Sequence, residues 1–524
     1  MVNVPDNQNP TEFFQQKLSL IKDIFKNVTG MPLTLEITKK STVDARCAFQ
    51  TKNSSLNKQV AYQLLNSLLN HLEETFNEDT YKAKSLYNLP LDLSMLLIFP
   101  EFAQLTEEKK YEYLTFTNNL IELSNRTYEL ESPSIGIIYC SSENKIEHVY
   151  KQIEWEYIPY KEEYELINFF KIFKPSIKLF DNKSLTLLVN HNFKIIGMLR
   201  KNTNQKSISH TLENKYLKNN KDQYLIHLTS FINEFTKNKV SKKVANQLFA
   251  RISDSIPNSG KLTAMEILRF ISNFNKISPS TIKKLKEVRD KNMPEFTFIT
   301  IGKNEVNFHT KNNFVVSYNK GSWKIKHFTL LLAYIFEFLI PSQELFLYKL
   351  RISDEEKLFQ LYTDILDNIQ LLIKHIKALS DYNKGALIVI LDKNNRKNLS
   401  AEECKNCINE FLEVQDTNAQ QISNKIITLN NKNIMNLNDI DYYLFQSIAS
   451  IDGAVILDKN FNILSYGQII KKSKNKNSDS TETKNVFGAR TVAAAEASYS
   501  GIAIKVSEDG DIQIYKNGKN TFTL

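Results

Sequence analysis

The sequence predicts a multidomain α/β protein. Three observations carry this. The chain has 524 residues, too many for one ordinary core and enough for about three or four domains. Hydrophobic residues make up 42% and aromatic residues 11% of it, and apolar runs recur along its length, so most of the chain is expected to fold. The apolar period switches between helical and extended. That divides the chain into an N-terminal α/β or α+β domain (1–205), a helical region (206–295), a β-meander with its connecting helix (296–345) and a C-terminal α/β domain (346–524).

Residues 12–27 and 57–76 place apolar side chains three and four apart, as amphipathic helices do. The runs "LSMLLIFP" (93–100), "SIGIIYC" (134–140) and "SLTLLVNHNFKIIGMLR" (184–200) are short and bounded by Pro, Ser or Asn, the mark of strands. From residue 211 to 292 the pattern is helical, with candidate caps at Ser241 and at Ser278, which precedes Pro279. Residues 295–328 alternate apolar and polar between turn signals, which predicts a meander of three or four strands with Trp323 in its packing. Helical periodicity returns over 328–379, followed by "GALIVIL" (385–391), a strand buried on both faces. The stretch 471–485 contains no apolar residue and reads as a solvated loop. No internal repeat stands out.

The formal charge of +9 arises from 67 basic and 58 acidic residues, spread along the chain rather than gathered in the stripe of a nucleic-acid binder. Segments such as "EEKKYEYL" and "YKEEYELINFF" read as solvated helix faces. Cys47, Cys140, Cys404 and Cys407 make no disulfide framework, and no signal-peptide pattern opens the chain, so the expected compartment is the cytoplasm. The longest apolar run, 328–340, contains Glu337 and is shorter than the ~20 residues that span a bilayer; it predicts a buried helix and no membrane partner. Cys404 and Cys407 have redox or metal spacing but no second pair or nearby histidine, and His309 and His327 lack ligand-like spacing.

Four C-terminal segments carry the chemistry by their order and spacing. "GALIVIL" comes first. Asp452, Gly453 and Ala454 then open a hairpin whose return strand holds Gly467, and Gly488, Ala489, Arg490 and Thr491 enter a helix-forming run. Ser507, Glu508 and Asp509 end the last of these strands. A helix entry of this kind offers backbone N–H groups to an anion such as phosphate. Asp452, Glu508 and Asp509 are hard oxygen donors suited to Mg²⁺ or Mn²⁺. Glycines at 453, 467 and 488 permit close backbone approach. Taken singly, each piece reads equally as a turn or a helix cap.

In this order the segments resemble the diadenylate cyclase (DAC) family, whose domain also opens the bacterial DNA-integrity scanning protein. The resemblance covers residues 360–524. It implies a twisted mixed sheet flanked by helices, ATP with Mg or Mn as ligand, and conversion of two ATP to cyclic di-AMP and two pyrophosphates. The family's Asp-Gly-Ala falls on Asp452, Gly453 and Ala454, implying metal coordination and orientation of the attacking 3′-hydroxyl by Asp452. Its Gly-Thr-Arg-His-Arg falls on Gly488, Ala489, Arg490, Thr491 and Val492, so one arginine is kept while the histidine and the second arginine are not. Its Ser-Glu-Glu falls on Ser507, Glu508 and Asp509.

Each lost charge-assisted phosphate contact is worth about 1.5 to 3 kcal/mol. The expected function is therefore binding of an adenine nucleotide or cyclic dinucleotide by a sensor with weak or no cyclase activity. The alternatives are an active diadenylate cyclase, which needs two facing sites and hence a homodimer through the C-terminal domain, and a non-catalytic protein-interaction module with a vestigial pocket.

Overall fold

The computed structural model describes chiefly residues 10–37, 43–47, 83–127, 133–142, 154–202, 296–340, 355–392, 428–470 and 488–524, with short interruptions. The expected helical region 206–295, most of 57–76, the loop 471–485, and Cys404 and Cys407 lie almost wholly outside these residues. Two compact units are formed, the first from Met1–Ala48, Lys58–Lys237 and Asn275–Leu330, the second containing Leu331–Leu524. Among the described residues no helix is long and apolar enough to cross a membrane.

In the first unit, α1 (Pro10–Thr29) and a hairpin, β1 (Leu33–Ile37) and β2 (Val43–Cys47), precede α2 (Ala83–Ile98) and α3 (Glu107–Ser124). Residues 93–100, expected as a strand, instead end α2. Leu93, Met95 and Leu97 are good helix formers without β-branching, and a continuous apolar run reads the same in a buried helix as in a buried strand. The sheet is built from β3 (Ile135–Tyr139), β4 (Glu156–Glu165), β5 (Leu185–Val189), β6 (Lys194–Arg200), β7 (Thr297–Gly302), β8 (Glu305–His309), β9 (Phe314–Asn319) and β10 (Ser322–His327), ordered β10-β9-β8-β7-β3-β5-β6-β4. The meander β7 to β10 thus adds to the N-terminal strands through β7 and β3. Of residues 160–170, expected as a helix face, the first six lie in β4 against β6 and the rest in α4 (Leu166–Ile172). Trp323 packs within the meander, against Phe308 and Tyr318.

The apolar run 328–340 is helical as α5 (Phe328–Leu339). The second unit continues with α6 (Glu355–Asp381), β11 (Ala386–Leu391), the short β12 (Thr428–Leu429) and β13 (Asn433–Ile434), α7 (Tyr442–Ala449), β14 (Ala454–Leu457), β15 (Ile463–Gln468), α8 (Ala489–Ala497), β16 (Gly501–Val506), β17 (Ile512–Lys516) and β18 (Lys519–Thr523). Its mixed sheet runs β15-β14-β11-β16-β17-β18. Every residue of β11 is buried, as its unbroken apolar run requires. The small residues of α8 let the helix lie close to the sheet, with Ala494 and Ala497 in one core with Leu387, Val389, Leu391 and Ala503.

The two sheets share a topology that was not legible as a sequence repeat. Each has one parallel pair, β3–β5 or β11–β14, and the second strand of that pair returns as a hairpin. The other side of the central strand is an antiparallel meander. The registers correspond as well. Ile137 lies opposite Leu187 and Ile299, as Ile388 lies opposite Val455 and Ile504. Along the meanders, Ile299 pairs with Phe308 and Phe308 with Val316; Ile504 pairs with Ile514 and Ile514 with Phe522. Both hairpins carry a bulge at the same step, between the pairs Leu188↔Gly197 and Val189↔Ile195 in one and Ile456↔Ser465 and Leu457↔Ile463 in the other.

The hairpin turns also match bond for bond. Asn190 Oδ1 accepts the N–H groups of Asn192 at 3.1 Å and Lys194 at 2.9 Å, and Asp458 Oδ1 accepts those of Asn460 and Asn462, both at 2.9 Å. Phe193 and Phe461 occupy the left-handed position of each turn, at φ 59° and 60°.

Candidate functional site

The candidate residues gather where β11 and β14 begin and β16 ends. Asp452 immediately precedes the Gly453 turn into β14, Arg490 sits in the first turn of α8, and Glu508 follows β16. Arg490 donates through Nη1 to Glu508 Oε1 at 2.9 Å and through Nη2 to Asp452 Oδ1 at 3.3 Å. The guanidinium is 29% exposed, whereas the Asp452 side chain is fully exposed at 101% and that of Glu508 at 77%. Ion pairs this open contribute about 0 to 1 kcal/mol each. Their geometry therefore says more about site construction than about stability.

Glycines clear the space. A methyl group on Gly385 would lie 2.1 Å from Arg490 Nη1 and 3.1 Å from Glu508 Cγ, so the guanidinium lies directly over that backbone. Gly453 has φ +111°, and a methyl group there would come within 2.4 Å of the Gly467 carbonyl carbon. Gly467, at φ +65°, closes a second register shift in the β14–β15 hairpin, between Ala454 and Ile456. Gly488 differs: its φ is −59° and nothing among the described residues lies within 4 Å of a methyl placed on it. Neither conformation nor packing explains that glycine.

The remaining expected residues fall into separate places. Ala454 is buried in β14, and Ala489 is exposed in the first turn of α8. Ser507 closes the β16–β17 turn, its Oγ accepting the Asp511 N–H at 3.0 Å. Among the described residues no three of His, Cys, Asp and Glu gather as a metal site. Asp452 and Glu508, two of the expected metal ligands, each pair with Arg490.

Beside Arg490 lies a group not expected from the motif. Lys505, on β16, donates to Thr491 Oγ1 at 2.8 Å and to Gln513 Oε1 at 3.3 Å, and the Tyr515 hydroxyl donates to the same Gln513 oxygen at 2.9 Å. Both partners of the ammonium are neutral. Burial lowers the Lys505 pKa, Asp511 offsets part of that, and the Arg490 charge lowers it further; burial raises the Tyr515 phenol. The available signal was a lysine interrupting the otherwise apolar "IAIKV" run. Gly385 was visible only as the opening of a strand.

Residues 374–520 match the DAC family, described as "DisA bacterial checkpoint controller nucleotide-binding". No curated protein matches the chain. Among solved structures, a double cysteine mutant of DacA from Staphylococcus aureus is 21% identical, with 31% of this chain and 89% of that chain covered and a TM-score of 0.21. A hypothetical membrane spanning protein from Bacillus cereus is 19% identical, with 37% and 92% covered and a TM-score of 0.19. The segment 374–520, which brings Asp452, Arg490, Lys505 and Glu508 to one end of a mixed sheet, belongs to the DAC family of nucleotide-binding domains.

Proposed function

We propose that the DAC domain binds an adenine nucleotide or cyclic dinucleotide and acts as a sensor with little or no cyclase activity. The observation that carries this is the hydrogen bond of Lys505 to Thr491, which sets a second cation close to Arg490 at the entry of α8. The missing histidine and arginine of the motif are partly offset by a half-buried ammonium that meets only neutral oxygens. Anionic phosphate oxygens are the natural third partner of such a group. Gly488 leaves room for them beside the first turn of the helix.

Asp452 and Glu508 fit a divalent cation of the Mg²⁺ or Mn²⁺ type, which takes one or two carboxylates together with phosphate oxygens. Full exposure of Asp452 and its long 3.3 Å bond to Arg490 leave that carboxylate free to turn toward the phosphates. A cation held there supplies charge neutralisation at the phosphates. Arg490 orients the nucleotide. Turnover is expected to suffer more than binding, because cationic donors at a leaving pyrophosphate act mainly in the transition state, and Thr491 and Val492 bring no charge of their own.

The test incubates purified protein with ATP and Mg²⁺ or Mn²⁺, measuring binding by calorimetry and cyclic di-AMP by chromatography. Binding with no product supports the sensor. Robust synthesis abolished by Asp452→Asn would establish the cyclase instead, and no binding of ATP or cyclic di-AMP at millimolar concentration would leave an interaction module. Lys505→Met should weaken ATP about tenfold while leaving adenosine unchanged, since one charge-assisted contact to phosphate is worth about 1.5 to 3 kcal/mol.

A further inference from the structure

We infer that the N-terminal sheet is a second copy of the DAC fold that has lost the nucleotide site, so that the chain carries two such folds and a single nucleotide pocket. This rests on the nucleotide-binding reading of residues 374–520. The shared fold itself rests on strand order, on the registers of six corresponding strands, on a bulge at the same hairpin step and on the Asx-bonded turn with phenylalanine in the left-handed position. Chance convergence on one topology is common; convergence on five strand pairings and on one bulge is not.

The registers allow position-by-position comparison. Ser184 stands where the DAC domain has Asp452, and Leu185 where it has Gly453; Ser134 stands for Gly385 and Gly302 for Ser507. The Asp452 carboxylate is gone, and so is the glycine that follows it. The hairpins also part company at this end. After the shared bulge, β5–β6 continues in regular register to Leu185↔Arg200, whereas β14–β15 shifts a second time at Gly467. That second shift comes with the left-handed Gly453 packed against the Gly467 backbone beside Asp452; the N-terminal hairpin has neither feature.

The test photolabels the full chain with 8-azido-ATP and maps the labelled peptides. Label confined to 374–520 supports the inference. Label in 133–202 or 296–327 that ATP competes away overturns it. Label in neither region is consistent with a siteless N-terminal copy but sinks the nucleotide reading of the DAC domain, so the two failures are distinguishable. The shared fold has its own check: an experimental structure in which the β5–β6 bulge and turn fail to superpose on those of β14–β15 overturns it whatever the labelling gives.

Discussion

The two sheets of this chain solve the same packing problem with corresponding strands and finish their ends differently. In the first unit the space around the parallel pair is filled by rings: Tyr139 stacks on Phe193 at 5.3 Å and Phe116 on Phe193 at 4.7 Å, with Phe99 and Tyr113 edge-on to them. In the second, the opposite end of the pair carries glycines packed under a guanidinium and against backbone, beside two carboxylates. A common scaffold thus carries an aromatic cluster at one end of the parallel pair in the first unit and a charged, glycine-lined end in the second, where the hairpin register shifts once more.

The largest expected effect breaks the glycine-lined end of the second unit. Gly453→Ala combines a left-handed φ with a methyl 2.4 Å from backbone, and should cost about 3 kcal/mol or more in the second unit. Gly302→Ala in the first unit, where nothing lies within 4 Å, should change stability by under about 1 kcal/mol. Thermal melting of both variants checks the pair. Equal losses would mean that the two ends are built alike after all.

Next comes Arg490→Ala, which removes the cation joining Asp452 and Glu508. ATP affinity should fall about tenfold to a hundredfold, with the first unit's melting unchanged. A full loss of folding would assign the arginine to structure rather than to the ligand.

How much of this was legible follows the same division. The buried strand 386–391, the Asp452–Gly453 hairpin, the α8 entry at Gly488 and the meander were readable because each has a local signal: an apolar run, a glycine, an alternation. Residues 93–100 were misread because an apolar run free of polar alternation fits helix and strand alike. The duplication escaped because register is set by pairings between distant strands, and core positions accept any apolar residue of suitable volume. Only "NHNFK" and "DKNFN", at 190–194 and 458–462, preserve the repeat as letters, since there the side chain itself makes the turn. Lys505 escaped because its partners, Thr491 and Gln513, are brought to it by α8 and β17.

Acid should weaken both units through one buried histidine each. His327 packs edge-on to Phe314, and burial lowers its pKa to about 3. His375 stacks on Tyr442 and lies tilted against Phe445; burial, aided by the Lys374 charge and opposed by Asp441, lowers its pKa to about 4. A folded-state pKa below the unfolded one means that the unfolded chain binds the extra proton. The stability is present above the ordinary histidine value of 6.5 and is lost as pH falls toward the folded value, by about 2 kcal/mol at pH 5 for each group. His375→Phe keeps the ring stack and removes the proton. Melting between pH 7 and pH 5 should then flatten in the second unit only; an unchanged slope would remove His375 from the account.

The smallest expected effect transfers one residue from the first unit to its corresponding position in the second. Gly385→Ser installs the side chain that the first unit carries as Ser134. The new Cβ would meet Arg490 Nη1 at 2.1 Å, but that atom is the far end of a flexible side chain, and its rotation costs less than a backbone shift. Gly385 has no left-handed φ to protect, so folding should persist with a melting temperature close to that of the parent. The guanidinium, pushed off its seat, would still reach phosphate, though less well aligned, and misalignment weakens a charge-assisted bond without abolishing it. ATP affinity should therefore fall about threefold to tenfold, less than for Arg490→Ala, and Gly385→Ser should add little to Arg490→Ala in the double variant, because the glycine acts only through the arginine. Additive losses would show that Gly385 faces the nucleotide directly, and no loss in the single variant would show that Arg490 binds from a position other than the one seated over Gly385.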